Sequence, residues 1–377
     1  MHKYISFPKA KREYYEKMLE TVGSLSRLFS ESDIPYLDSR VAENLYCKSF
    51  DAQNKSRDDS SVDAVYQKTG IGIKTFRGNS DQKIAEFNKA LPLFARLKAS
   101  AKAKKIAELR NERIELTKRK YGIDYVTYHC IRREKGKMIL CEHPMDLIDI
   151  PRLRIVKGTD KYVKFKDGKN NYKFNISKSV LYKDFPRQNI ISEINVNIIA
   201  DPFDSLGKAL GGAKKEVLKE TGATHRYVIL PLYATRKRGN HVPLKSGLNQ
   251  WHAKGRPRDL DEVYIPIPAW IHHEFAGFFP KRDKKFTLKL PDGSTMSAKI
   301  CQDGDKALMS DPNKALGQWI LRHILQLRRG ELLTYKRLQE LGIDSVIVRK
   351  TGALQYSIDF KEQGAFEKFK EEKLVAE

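Results

Sequence analysis

The sequence predicts two domains, an α/β (α+β) unit over residues 1–188 followed by a mainly β unit over residues 189–377. Three observations predict this. The first half carries apolar residues at three-to-four spacing in several stretches, the helical period, between short β-branched runs. The second half carries short apolar runs separated by turn formers such as LPDGS, with fewer helical stretches. A chain of 377 residues is long enough for two ordinary cores.

Charge narrows the partners. The chain has 71 Lys+Arg against 47 Asp+Glu, a formal net charge of +24. An excess of this size, in a chain without low-complexity tails, points to a polyanion. Nucleic acid is favoured over lipid, because no basic amphipathic anchor stands out and no run of 18 apolar residues occurs. The opening MHKYISFPKAKREYYEKM has no apolar core of the secretory type, so no membrane or export role is expected. Cys47, Cys130, Cys141 and Cys301 show no CxxC spacing, which argues against a zinc site or a disulfide framework and fits a reducing cytoplasm.

In order, helices are expected at 9–29 and 39–48, the second carrying Glu43. A polar loop with Asp58 and Asp59 follows, then short strands at 62–66 and 71–76 around a QKTG turn. Ser80 is suited to cap a helix beginning at Asp81, with Ile84, Phe87 and Leu91 on one face and Glu86 on its surface. A long helix at 96–120 holds ten Lys or Arg against three Glu, which suits either a solvated face or phosphate contacts. Strands are expected at 125–133, 138–142, 153–156, 162–166 and 172–176, and SKSVLYKDF closes the first domain. In the second domain the expected strands are 227–232, 261–267, 285–290, 295–300, 346–350 and 354–359, with helices at 270–275, 315–327 and 334–341.

The chemistry-bearing stretch is Asp63, the run Ile71-Gly72-Ile73 ending in Lys74, and Glu86. An acid at one strand and a lysine at the end of the next suits a metal-dependent nuclease: the acid holds Mg²⁺ and the lysine steadies the attacking water or transition-state charge. Asp63, Lys74 and the strand GIGIKTF resemble a PD-(D/E)xK nuclease, the fold of many type II restriction endonucleases, which implies a central mixed sheet. Two departures occur: Val62 stands where proline is usual, and Gly72 stands where an acid is expected. Some members of that superfamily supply the missing acid from the following helix, a role the resemblance gives to Glu86; Glu43 would be a further ligand or a supporting carboxylate. Asp63 and Glu86 would suffice for Mg²⁺, which keeps much of its water. The chain contains no nucleophile elbow or Walker A loop, so serine-hydrolase and ATPase chemistries are disfavoured.

The second half is similar to the B3-like DNA-recognition domain at the C-terminus of some restriction endonucleases. The likeness is carried by GLNQWHAKGRPRDLDEVYIPIPAWIHHEFAGFFP, FTLKLPDGSTMSAKICQDGDKALMSDPNKALGQWIL and LLTYKRLQELGIDSVIVRK. It implies a pseudobarrel whose two arms grip the DNA major groove. One arm would fall on Asn249, Gln250, Trp251, His252, Lys254, Arg256 and Arg258. The other would fall on Gln302, Asp303, Asp305, Lys306, Ser310, Asn313 and Lys314. Arg reads guanine, Asn and Gln read adenine, Asp accepts from cytosine, and Lys and Ser suit phosphate. Trp270 and Trp319 read as core, His272-His273 as structural, and Asn313 equally as a helix cap.

The expectation is a Mg²⁺-dependent, sequence-specific double-stranded DNA endonuclease of type II. A homodimer follows if both strands are to be cut, and a cell carrying such an enzyme would need a methyltransferase protecting its own sites. The rival is a non-catalytic DNA-binding protein with a degenerate nuclease domain, for which Gly72 is the best support. A basic RNA-binding protein is the third reading.

Overall fold

The computed structural model describes residues 3–58, 60–78, 80–210, 227–236, 239–253, 255 and 257–374. The chain forms two compact units, 1–118 with 123–221, and 119–122 with 222–377. The division falls later than residue 188 because the strand at Ile190–Asn195 pairs into the first unit's sheet. No helix among the described residues is long and apolar enough to cross a membrane.

The first unit begins with α1 (Lys9–Ser24) and α2 (Ser39–Phe50). Asp38 caps α2 by accepting from the Arg40 N–H at 2.8 Å, and Asp51 ends it in the left-handed region. Then come β1 (Gln53–Asn54), β2 (Ala64–Tyr66), β3 (Thr69–Arg77) and β4 (Asp81–Glu86). These are followed by α3 (Ala99–Tyr121), β5 (Tyr125–Glu134) and β6 (Lys137–Pro144). β7 (Arg154–Gly158), β8 (Tyr162–Lys166), β9 (Asn171–Asn175), β10 (Val180–Asp184), β11 (Ile190–Asn195) and α4 (Pro202–Leu210) complete the unit.

One sheet has the order β1-β2-β3-β5-β6-β11, and it is mixed, because β3 and β5 run parallel while the other pairs are antiparallel. The crossover between the parallel strands contains α3, as parallel pairing requires. The other sheet, β4-β10-β9-β8-β7, lays Val163, Phe165, Phe174 and Leu181 in one core cluster with Ile106 and Ala107 of α3. On the mixed sheet, Ile71, Ile73, Ile131 and Leu140 pack with Leu19 of α1 and Ala42 and Tyr46 of α2. Rings of Tyr4, Phe7, Tyr15 and Phe50 fill the rest of that core, each contributing roughly 1.5–3 kcal/mol by burial.

A titrating pair lies in this core. Glu142 and His129 are cross-strand partners; Tyr4 N–H donates to Glu142 Oε1 at 3.0 Å, and Tyr15 Oη lies 3.1 Å from His129 Nε2. Burial pushes the Glu142 carboxyl up to about 7 and His129 down to about 3. The folded state therefore holds the Glu142 proton above the pH at which the unfolded chain releases it, so this group removes stability as pH rises from about 4.5 to about 7. His129 acts in the opposite sense, gaining stability as pH rises from about 3 to 6.5, and it is common to both proteins in a comparison. Glu142→Gln, which keeps the acceptor for Tyr4, should therefore gain on the wild type by roughly 2–3 kcal/mol between pH 4.5 and 8 in urea unfolding.

The sequence expectation fails at β4. Asp81–Glu86 is a strand, not a helix, pairing antiparallel with β10 from Asp81↔Asp184 to Glu86↔Val180. Ile84, Phe87 and Leu91 mimic a helical period, but Ile84 lies in the strand, Leu91 in the short 3-10 turn at Asn88–Leu93, and Phe87 between the two. The long basic helix exists, yet Lys102 and Arg110 are buried; Arg110 donates to Ser61 Oγ at 2.9 Å and Tyr128 Oη at 2.8 Å.

The second unit is mainly β. It contains β12 (Tyr227–Pro231), β13 (Ala234–Arg236), β14 (Gly239–His241), β15 (Ile265–Pro266), α5 (Ala269–Glu274), β16 (Phe286–Lys289), β17 (Thr295–Cys301) and β18 (Ala307–Ser310). After a helical stretch over 315–324 come α6 (Tyr335–Leu341), β19 (Ile343–Gly352), β20 (Gln355–Glu362) and α7 (Ala365–Leu374). Seven strands form one sheet in the order β12-β19-β20-β16-β17-β18-β15, and its first and last strands come together, so the sheet nearly closes into a barrel. Trp319 is buried and packs at a tilt against Phe360 at 5.4 Å, whereas Trp270 is half-buried among Phe275, Phe366 and Phe369.

Candidate active site and nucleic-acid interface

Local pairing explains why Asp63 and Lys74 meet. β2 and β3 form a hairpin, with Ala64 opposite Ile71, so Asp63 precedes its strand beside the middle of β3. Its backbone N–H donates to Ile71 O at 2.8 Å, and its Oδ2 accepts from the Ile73 N–H at 2.7 Å. That same oxygen lies 3.8 Å from Lys74 Nζ. Both side chains are about one quarter exposed, so the pair is open to a ligand yet partly dried.

Glu43 joins them from α2. It is 8 % exposed, and Arg40, one turn earlier, donates to its Oε2 at 2.9 Å while also bonding Ser56 O at 2.6 Å. Burial first, and the charge of Asp63 second, raise the Glu43 carboxyl above its ordinary value. That the Asp63 charge acts on Glu43 places the two carboxylates in one region. The neighbouring Cys47 thiol is pushed up to about 12 by burial and by these same two acids. Arg40 is a residue that sequence reading misses, although its three-residue spacing from Glu43 is a helical contact distance.

Glu86 is not part of this group. It ends β4 in the other sheet, where its carboxylate is held by Lys83 and by Asn88 Nδ2 at 2.5 Å. Those hydrogen bonds, Lys83 first, lower its carboxyl below the ordinary range. The expected stand-in for the missing acid is therefore misplaced, since the helix expected to carry it does not form.

Gly72 has a packing reason. A Cβ there would lie 3.0 Å from the Tyr128 ring and 2.8 Å from Met145 Cε. Tyr128 is in turn fixed by Arg110 and packs edge-on against Phe185 at 5.0 Å. Gly72→Glu, which would restore the expected acid, should thus cost about 1–3 kcal/mol by overpacking. The checks are a lowered urea midpoint and no gain in cleavage.

Beyond Lys74 on the same sheet face, Cys130, Cys141 and His143 bring ligand atoms within 4.8 Å of one another. The Lys74 and Lys183 charges both act on Cys130, an arrangement unfavourable to a further cation.

In the second unit the predicted arm residues divide by availability. Asn249 is 1 % exposed; its Nδ2 donates to Leu333 O and its Oδ1 accepts from Leu333 N–H, both at 3.0 Å. Ser310 is fully buried, donating to Pro312 O and accepting from Leu316 N–H, both at 2.8 Å. The polar atoms of these two residues serve the fold. Gln250 is buried, and its carbonyl accepts from Arg258 Nη1 at 2.9 Å. Trp251, Arg258, Gln302 and Asp305 are half-buried, while His252, Asp303, Lys306, Asn313 and Lys314 are exposed. Lys314 ion-pairs with Asp259 at 2.8 Å, and Asp303 with Arg282 at 3.0 Å. Lys254 and Arg256 lie outside the described residues.

No curated protein matches the chain. Residues 225–352, which hold most of the barrel, match the family model of the NgoFVII C-terminal B3-like DNA-binding domain.

Proposed function

We propose that this chain is a sequence-specific double-stranded DNA endonuclease of the type II restriction kind, hydrolysing phosphodiester bonds with Mg²⁺. One observation carries the catalytic half: Glu43, Asp63 and Lys74, from a helix, a strand edge and a neighbouring strand, converge in the first unit. The DNA-recognition half rests on the B3-like match over residues 225–352.

The residues fit a hard divalent cation. Glu43, held above its ordinary range by burial and by the Asp63 charge, would be relieved by a cation beside it, and oxygen donors suit Mg²⁺. Glu43 and Asp63 would hold the ion, which when bound supplies Lewis-acid stabilisation of phosphoryl charge. Asp63 is preset by the Ile73 N–H, so little reorganisation is needed. The Lys74 ammonium, beside Asp63, orients the attacking water and offsets charge developing on the phosphate. Two such sites in a homodimer would cut both strands.

The test is incubation of the protein with phage DNA, in Mg²⁺ or EDTA, followed by electrophoresis. Discrete fragments that require Mg²⁺ are expected. Intact but gel-shifted DNA would instead favour a non-catalytic DNA-binding protein, the reading supported by Tyr128 filling the space beside Gly72.

A further inference from the structure

The outer face of the first unit's second sheet carries cations directly opposite one another. In register, Lys157 faces Lys164, Lys164 faces Lys173, and Arg154 faces Lys166. Cross-strand partners share a face, and the alternate residues Val163, Phe165, Tyr172 and Phe174 are buried on the other side. Arg154, Lys157, Lys164 and Lys166 are exposed and Lys173 half-exposed. Lys164 and Lys173 both lie over the Tyr162 ring, at 5.8 and 5.7 Å. Among the described residues none of the five cations forms an ion pair, whereas Lys83, further along the sheet, is neutralised by Glu86.

Like charges directly opposite destabilise a sheet. Edge strands use lysine against aggregation, which accounts for β7, but β8 and β9 are interior strands and need no such protection. A polyanion that bridges the rows removes the repulsion. Adjacent strands are about 4.8 Å apart, so each row places cations at intervals comparable to phosphate spacing along a nucleic-acid strand.

We infer that this face is a second, sequence-independent DNA contact, which binds duplex phosphates through Lys157, Lys164 and Lys173 with Arg154 and Lys166 beside them. It rests on the reading of the chain as a DNA-binding protein, but not on catalysis. It would hold the duplex on the first unit independently of base recognition.

The experiment compares full-length wild type with the triple variant Lys157→Gln, Lys164→Gln, Lys173→Gln. Binding to a labelled duplex is measured by anisotropy over a salt series in EDTA. The expected result is a fall of about 2.7 in the slope of log affinity against log salt, near 0.9 for each phosphate no longer neutralised. The loss should be the same on any duplex sequence, with unchanged or higher Tm. A control triple at exposed helical positions, Lys9→Gln, Lys17→Gln, Lys48→Gln, removes equal charge and should leave the slope unchanged. Equal slopes for wild type and the sheet variant would overturn the inference while leaving DNA binding intact. Equal effects of the two triples would reduce it to net charge and overturn it as well. A wild-type chain that binds no duplex would remove both the inference and the reading beneath it. Binding to phosphatidylserine vesicles lost in the sheet variant, with DNA binding unaffected, would assign the face to a membrane instead.

Discussion

Lys74→Ala should slow DNA cleavage by about 10²–10³-fold while leaving DNA binding and fold intact. The side chain lies on the half-exposed part of β3, and its Nζ atom is 3.8 Å from Asp63 Oδ2. Removing it leaves no buried cavity of consequence, because about one quarter of it is already exposed. What it removes is a fixed positive charge where phosphate charge would build. Single-turnover cleavage, gel-shift affinity and Tm together check this. Unchanged cleavage would show that the chemistry is elsewhere. Reduced cleavage with an equal fall in binding would make Lys74 a DNA-positioning residue only.

Glu43→Gln should have the larger effect, a loss on the order of 10³-fold or more, since a metal ligand contributes several kcal/mol of transition-state stabilisation. It should also stabilise the protein at neutral pH when no divalent ion is present. Glu43 titrates above its unfolded value because burial and Asp63 both oppose its charge. A carboxyl raised in the folded state removes stability as pH rises through that window, and glutamine does not titrate. The expected pattern is therefore a higher Tm than wild type in EDTA at neutral pH, and no Tm increase with Mg²⁺ where the proposed site predicts one for wild type. A Glu43→Gln protein that still responds fully to Mg²⁺ would show that Glu43 is not a ligand.

Much of this geometry is legible before the fold. The runs Ala64–Tyr66 and Thr69–Arg77 are short, apolar and joined by a turn, so period and punctuation mark the hairpin that brings Asp63 to Lys74. Glu43 can be placed on its helix because the spacing in α2 is regular. Glu86 escapes such reading for a physical reason: β4 is specified by β10, almost a hundred residues away, and no local pattern reports a distant pairing. β10 itself reads as a mere domain terminus for the same reason. In the second unit, residue type suggests base contacts for Asn249 and Ser310, but type does not report burial, and these two hold the backbone of a neighbouring segment or their own loop.

The contact between Gly72 and Tyr128 also bears on how this sequence can change. Because the ring fills the space where an acid at position 72 would begin, the two positions form an epistatic pair. An acid at 72 needs both a smaller residue at 128 and a displaced Met145 Cε, and shrinking Tyr128 alone removes the partner of Arg110 Nη2. Each single step is therefore costly, and double-mutant effects at this pair should depart from additivity by about 0.5–3 kcal/mol. With glycine at 72 and tyrosine at 128, a second carboxylate for the proposed site would have to come from another element, and on that reading α2 supplies Glu43.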